Sequence, residues 1–509
     1  MVFSSSVFLF AFFPVVIAAY FLMPTRAAKN TWLLAASLVF YAWGEPVYIL
    51  LMIASILANW LFGIAIGRNG ATDVQRKALL ILAVAFNVAV IGFFKYEGFV
   101  AANVNALIGS QVIPDLHLPL PIGISFYTLQ ALSYVIDVYR KEVAPQRNIL
   151  YLGMYIACFP QLIAGPIVRY QTIQDQVVGR KETLSGFADG MRLFIVGLAK
   201  KVLLANTVAI LATKMVSMGG SEIGAVGAWA GLVAYTFQIF FDFSGYSDMA
   251  IGLGRMMGFE YLRNFNYPYI SKSITEFWRR WHISLSTFFR DYIYIPLGGS
   301  RCSKARNILN IAIVWTITGL WHGAAWNYIG WGVYYGVLLI LEKFVWGKAL
   351  SKAPALLQHV YTIAIFVFGW SFFWITDPSA LVPYWQALIG QFGLTGTSSA
   401  WELTAWQYWP VFLICIVAST PLCPFLKERF TAWIENRKPE QVRERGIVNP
   451  RRLDTPTLCT LDAKPADNMR QRVFSAARVG YDLLLLVLLA MSCASVVSGS
   501  FNPFIYFQF

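Results

Sequence analysis

The chain has 509 residues, 58% of them hydrophobic and 13% charged, with a formal net charge of +14; that much apolar side chain exceeds what one or two soluble cores can hide, which excludes a large water-soluble enzyme. The excess of Lys and Arg is accounted for by the cytoplasmic loops of a membrane protein, so nucleic acid is not an expected partner. The six cysteines are scattered, with no C-x-x-C pair and no histidines at zinc spacing, so neither a disulfide framework nor a metal site is expected.

A bilayer core of about 30 Å takes roughly 20 apolar residues in a helix, and such runs recur from end to end. The first, "SVFLFAFFPVVIAAYFLM" (Ser6 to Met23), follows an uncharged stretch and ends without a small-residue cleavage site; it reads as a retained span, not a signal peptide. Further runs lie near 31–43, 46–67, 78–95, 119–139, 149–168, 189–213 and 227–256, then near 306–321, 324–346, 358–375, 407–426 and 479–498. Several are short or broken by Gly and Pro, as in "CFPQLIAGPIVRY" (Cys158 to Tyr170), and some of these are expected to re-enter and not cross. Arg26 and Lys29, Arg68, Arg76 and Lys77, Arg140, Lys141 and Arg147, and the basic stretch 427–478 mark the cytoplasmic side, whereas 96–139 and 353–426 hold no Lys or Arg. Both termini are therefore expected on the outer, periplasmic side. The polar, Pro-containing stretch 427–478 is expected to be a flexible cytoplasmic loop, either a solvated linker or a docking site for a partner or an anionic ligand.

Two segments stand out. "EFWRRWHISLS" (Glu276 to Ser286) and "GLWHGAAW" (Gly319 to Trp326) each hold a Trp-His pair, in a chain with four histidines. On a helical wheel over Ser273 to Tyr292, Phe277, Trp281, Leu285, Phe288 and Tyr292 form one apolar stripe, with Arg279, Arg280, Ser286, Thr287, Arg290 and Asp291 opposite. That pattern predicts a helix lying in the membrane interface, with His282 at the seam between its wet and apolar faces. His282 is then either an interfacial anchor or a functional residue. His322 falls between two apolar runs, where ionisable groups are rare and mark function by default. An apolar setting lowers a histidine's pKa and leaves it a neutral base. Gly319 and Gly323 on either side let backbone or substrate come close.

In "FFDFSGYSDMAIGLG" (Phe240 to Gly254), Asp242 and Asp248 sit in an otherwise apolar region beside Ser244 and Ser247. Their spacing puts them on different helix faces, which disfavours a paired-carboxylate mechanism; they serve either to orient a histidine or to bond backbone in a broken helix. His117 and His359 are expected to be incidental.

With "PIGISFYTLQALSYVIDVYR" (Pro121 to Arg140), "SITEFWRRWHISLSTFFRDYIYIPLGG" (Ser273 to Gly299) and the terminal "NPFIYFQF", these motifs resemble the membrane-bound O-acyltransferases, and among them the bacterial alginate O-acetyltransferase type. The likeness covers essentially the whole chain. It implies an all-α polytopic membrane fold with about 11–13 membrane helices, re-entrant and interfacial ones included, making one domain over 1–509 around a cytoplasmic funnel. It implies that His322 and His282 are the catalytic residues, His322 as general base or covalent acetyl carrier and His282 positioning donor or acceptor. Acetyl-CoA is the implied donor, with no permanently bound cofactor. Acetyl is passed across the bacterial inner membrane to a periplasmic SGNH-type or related partner that O-acetylates an exopolysaccharide, most simply alginate, with cellulose or another surface polymer as alternatives. Arg279, Arg280 and Arg290 with Trp278 and Trp281 suit an anionic donor, although positive-inside charge alone accounts for most of the basic set. Asp242, Asp248, Ser286 and Trp321 are expected in support. The rival class is a polysaccharide or acyl-group transporter, for which repeated halves are expected and not found.

Overall fold

The structure is a computed structural model that describes residues 1–436, 465–499 and 504–505. Every regular element among the described residues is a helix. Among the described residues seven helices are long and apolar enough to cross a membrane: Ile49–Ile66, Asp73–Ile108, Leu184–Met218, Gly220–Met256, Trp326–Lys352, Ala355–Trp374 and Asn468–Ser498. An eighth candidate is the pair Ala400–Ala418 and Leu422–Glu435, bent by 56° at its break. Other apolar runs fold as shorter helices, among them Arg26–Ala42, Ile124–Tyr139 and Ile149–Ala157. The last stops where Cys158 leaves helical backbone (φ −53°, ψ 112°), and a new turn, Phe159–Leu162, begins with Pro160 in it; proline fits only the first turn of a helix, so the run cannot continue straight. The stretch 427–478 is helical at both described ends, through Leu422–Glu435 and from Asn468 onward, and the loop expectation for 437–464 lies outside the described residues.

The chain divides into two compact units, 1–190 with 250–261, and 191–249 with 262–509. The first unit opens on an aromatic cluster of Phe3, Phe8, Phe40 and Phe159 and holds its long helices together with polar contacts suited to a membrane interior. Asn59 and Asn87 exchange side-chain hydrogen bonds at 3.1 and 2.8 Å between two spans, so each amide is satisfied where lipid offers no partner. Near the start of the chain, the fully buried Arg180 guanidinium donates to Asn30 (2.6 Å), Tyr20 (3.2 Å) and the Met257 carbonyl (3.2 Å), and lies over the Phe259 ring. Arg26 pairs with Glu182, which also accepts from Tyr20.

The second unit carries both Trp-His segments. Lys304–His322 starts at Ser303, whose hydroxyl accepts the Arg306 N–H at 3.3 Å, and packs along Trp326–Leu341. The two backbones meet closely because the contact is glycine: a Cβ on Gly319 would stand 2.4 Å from the Tyr328 carbonyl oxygen. Three ion pairs join spans within this unit: Lys200 to Asp248 at 2.6 Å, Arg192 to Asp482 at 2.9 Å, and Lys201 to Asp242.

Candidate active site

The segment around the first Trp-His pair is two short helices, Ile274–Arg280 and Ile283–Phe289, and not the continuous interfacial helix its apolar stripe predicts. The first is capped twice. Ser273 Oγ accepts the Glu276 N–H at 3.0 Å, and Glu342 receives the Ile274 and Thr275 N–H groups on its two carboxylate oxygens at 2.8 and 2.9 Å. These are the orphan donors of a helix start, and a buried carboxylate meets both them and the positive end of the dipole. The helix then stops: Trp281 is extended and His282 takes left-handed backbone, φ 45°, ψ 54°. A non-glycine residue there costs about 1–2 kcal/mol, so something must hold it.

That something is Asn264. Its side-chain oxygen accepts the Ser284 N–H (3.1 Å) and the Ser284 hydroxyl (2.9 Å), and its backbone carbonyl accepts the Ile283 N–H (2.9 Å). The second helix thus has its first N–H groups capped from 20 residues upstream. The same Asn264 oxygen lies 3.2 Å from His282 Nδ1. Because a backbone N–H can only donate, that atom is the amide oxygen, so Nδ1 carries the ring proton and Nε2 is the ring's acceptor nitrogen.

His282 is 2% exposed, which replaces the half-wet seam expected from the wheel. Phe243 meets its ring edge to face at 4.7 Å and Trp321 lies at 6.2 Å. It falls outside the candidate spans, and burial pushes its pKa down to about 3, so the imidazole is neutral at cell pH.

His322 is the last residue of its helix and is 5% exposed. Trp321, Trp331 and Phe373 surround its ring at 4.9, 5.0 and 4.9 Å. Gly323 follows in extended backbone, and a Cβ there would stand 2.2 Å from the Tyr328 ring. Both histidines line one cavity of about 1160 Å³. Its wall also carries Lys272, Arg279, Arg290 and Lys343, with Glu342 as the carboxylate, its oxygens already taken by backbone. The cavity is therefore a cationic, tryptophan-lined chamber with two imidazoles.

Of the residues singled out from the sequence, Trp278, Arg279, Trp281, His282, Ser286, Arg290 and His322 share this cavity. Trp321 packs between the two imidazoles without lining it. Arg280 is occupied by Glu276 (2.8 Å) and the Asn266 carbonyl (3.1 Å) and turns to structure. Asp242 and Asp248 are not at the histidines: Asp248 pairs with Lys200, and Asp242 pairs with Lys201 and accepts the Ile505 N–H. The break in their span is at Gly224, away from both acids. His117 is an exposed loop residue beside Asp115, and His359 Nδ1 lies 3.3 Å from the Ser271 carbonyl. Among the described residues no group of three His, Cys, Asp or Glu side chains gathers to hold a metal.

Residues 63–386, well over half of the chain, match the family model for MBOAT, membrane-bound O-acyltransferase. The chain belongs to the membrane-bound O-acyltransferase family. It is similar over its whole length, and theirs, to proteins named "Probable alginate O-acetylase AlgI" in Azotobacter vinelandii and Pseudomonas aeruginosa, at 38% identity in each case. It is also 34% identical to the peptidoglycan O-acetyltransferase of Helicobacter pylori, over 78% of this chain and 81% of that one. Membership makes it a multi-pass membrane acyltransferase, which decides enzyme over transporter.

Besides Lys272 and Lys343 on the cavity wall, two residues that shape this candidate site escaped the sequence reading, Asn264 and Glu342. Neither belongs to a motif by spacing. Asn264 stands in "RNFNYP", a turn-forming run that signals irregular backbone without saying which side chain it presents. Glu342 is a single acid at the end of an apolar run, and an ionisable residue there was the available signal.

Proposed function

We propose that this membrane-bound O-acyltransferase takes the acetyl group of cytoplasmic acetyl-CoA and passes it across the bacterial inner membrane, where a periplasmic SGNH-type or related partner places it on an exopolysaccharide, with alginate as the first candidate. The observation that carries the reading is the single cavity walled by both His282 and His322. Of the four cationic residues on its wall, Arg290 is held by Asp291 at 2.6 Å, and Lys272, Arg279 and Lys343 suit a phosphate-bearing donor; tryptophan faces suit an adenine or pantetheine arm. In this reading the first recipient is a hydroxyl of the periplasmic partner, and His322 removes its proton as that oxygen attacks the thioester carbonyl. The C–S bond then breaks and coenzyme A leaves as thiolate. His282, neutral and with Nε2 as its acceptor nitrogen, orients donor or acceptor through that lone pair. The termini lie on the periplasmic side by the distribution of Lys and Arg.

Full-length similarity to two proteins named as alginate O-acetylases supports alginate, and the similarity to a peptidoglycan O-acetyltransferase supports another envelope polymer as the second reading. The test is His322→Ala, expressed to the wild-type level in the membrane, with ester-linked acetate measured on alginate and on peptidoglycan. A fall of about 10²–10⁴-fold is expected, the range of a lost general base. Unchanged acetylation would sink the assigned role, and loss on peptidoglycan alone would move the acceptor to the second reading. Purified protein given labelled acetyl-CoA together with its periplasmic partner should release coenzyme A; a folded preparation that leaves the thioester intact with the partner present would overturn the donor.

A further inference from the structure

The proposed chemistry makes no use of a deeply buried ion pair in the second unit. Asp242 is 2% exposed and Lys201 3%, and they are paired. Both lie in long apolar helices, where such a pair is expensive unless every lone pair and proton is satisfied. Lys201 sits on the π-helical turn Lys200–Ala205, a form that recurs at functional sites. The second oxygen of Asp242 accepts the backbone N–H of Ile505 at 2.8 Å. A carboxylate at this depth has thus been committed to holding one peptide group from the far end of the chain.

What that peptide brings with it is Phe504. Its ring packs on Tyr246 at 4.8 Å and on Phe243 at 5.9 Å, and Phe504 and Ile505 are buried. Phe243 is the residue next to Asp242, and it is the ring that meets His282 edge to face at 4.7 Å. One helix therefore presents, on consecutive residues, the carboxylate that fixes 504–505 and the aromatic wall of His282. Phe265 closes the same cluster from the segment that carries Asn264, at 4.9 Å from Phe243. His282 is thus braced from one side by Asn264 and from the other by a ring whose neighbour grips residue 505.

We propose that the 504–505 segment is a positioning element for His282: the Asp242–Lys201 pair holds the Ile505 amide so that Phe504 keeps Phe243 against the imidazole. This rests on the reading of His282 as a site residue. Asp242, Lys201, Phe243 and Phe504 act through that ring and are not catalytic residues.

The test removes the held N–H and leaves the side chains in place as far as possible. Ile505→Pro deletes the donor, and Ile505→Leu keeps it. With purified protein and its periplasmic partner as acetyl acceptor, Ile505→Pro is expected to lower kcat about tenfold, as small misplacement of a site group does, with KM for acetyl-CoA changed less than about twofold. The unfolding midpoint in detergent should stay at the wild-type value, and Ile505→Leu should restore kcat. A second readout is independent of turnover. The chain has four histidines, so ring ¹³C resonances of labelled histidine can be assigned by substituting them one at a time. In Ile505→Pro the His282 resonance should shift, because the Phe243 ring current on it changes, while those of His117 and His359 stay in place. A His282 resonance that does not move, or a wild-type kcat in Ile505→Pro, overturns the positioning role. If wild-type protein leaves acetyl-CoA untouched with the partner present, the acetyltransferase reading fails and the resonance still decides this one. Should Ile505→Pro not fold, Phe504→Ala replaces it, with the same resonance shift expected and the same result overturning the idea.

Discussion

His322 closes a 19-residue helix and stands among the rings of Trp321, Trp331 and Phe373, whereas His282 lies between two seven-residue helices with its backbone at φ 45° and its Nδ1 on an asparagine. The same Trp-His dipeptide is thus placed by two different kinds of force. His322 is set by packing: a glycine-tight contact between long helices decides where the end of one of them lies. His282 is set by hydrogen bonds, since Asn264 offsets the cost of left-handed backbone by capping the helix that follows. The difference teaches where each is vulnerable. Added volume should break the first and loss of a single polar atom should break the second.

The largest effect is expected where volume is added. In Gly323→Ala the new Cβ would stand 2.2 Å from the Tyr328 ring, and the ring is wedged against Phe373 at 5.1 Å. Overpacking of this kind costs about 1–3 kcal/mol, and a shift of the adjacent His322 by about 1 Å should lower kcat by about 100-fold. Thermal unfolding in detergent and turnover of acetyl-CoA should therefore fall together. A variant that loses stability and keeps kcat would show that His322 is not positioned by this contact.

Asn264→Ala is the complementary change and is expected to cost less in rate. It strips the buried Ser284 N–H of its acceptor, worth about 1–3 kcal/mol, and loosens the His282 ring; kcat should drop about tenfold. Asn264→Asp keeps an oxygen in place and should recover most of the stability. Equal defects in Ala and Asp would mean that the amide acts through something other than its acceptor oxygen.

How far these contrasts could be read in advance depends on the range of the forces involved. Hydropathy shows the seven long helices because burial in lipid is written into consecutive residues. His322 was legible for the same reason, as an ionisable residue in an apolar neighbourhood. The break at His282 was not. No Gly or Pro interrupts 273–289, and a wheel assumes a continuous helix; the interruption comes from Asn264, outside the window. Likewise Asp242 and Asp248 could be recognised as buried acids, but their partners Lys201 and Lys200 lie on another span. Two basic residues in one apolar run and two acids in the next is a pattern that sequence can offer as a pairing, and the register of the two helices then decides which lysine meets which acid.

The smallest effect expected is one of pH, and it isolates His282 from its counterpart. Burial holds its folded-state pKa at about 3, against an ordinary histidine value of 6.5, so the folded protein keeps the ring neutral while the unfolded chain takes up a proton as pH falls. Above about pH 6.5 neither state binds that proton and the term is absent. Between about pH 6.5 and 3 the unfolded state binds more protons, so stability contributed by the neutral ring is lost progressively on acidification. Denaturation in detergent at pH 7 and pH 5 should therefore show wild type losing more stability than His282→Asn, a residue that tolerates left-handed backbone and does not titrate. The same shift means that no limb of the kcat profile between about pH 6 and 8 belongs to His282, and such a limb must persist in Asn264→Ala if another group is its source. A pH slope identical in wild type and His282→Asn would show that the imidazole is hydrated in the folded protein, and would return His282 to the half-wet interfacial position that its helical wheel suggests.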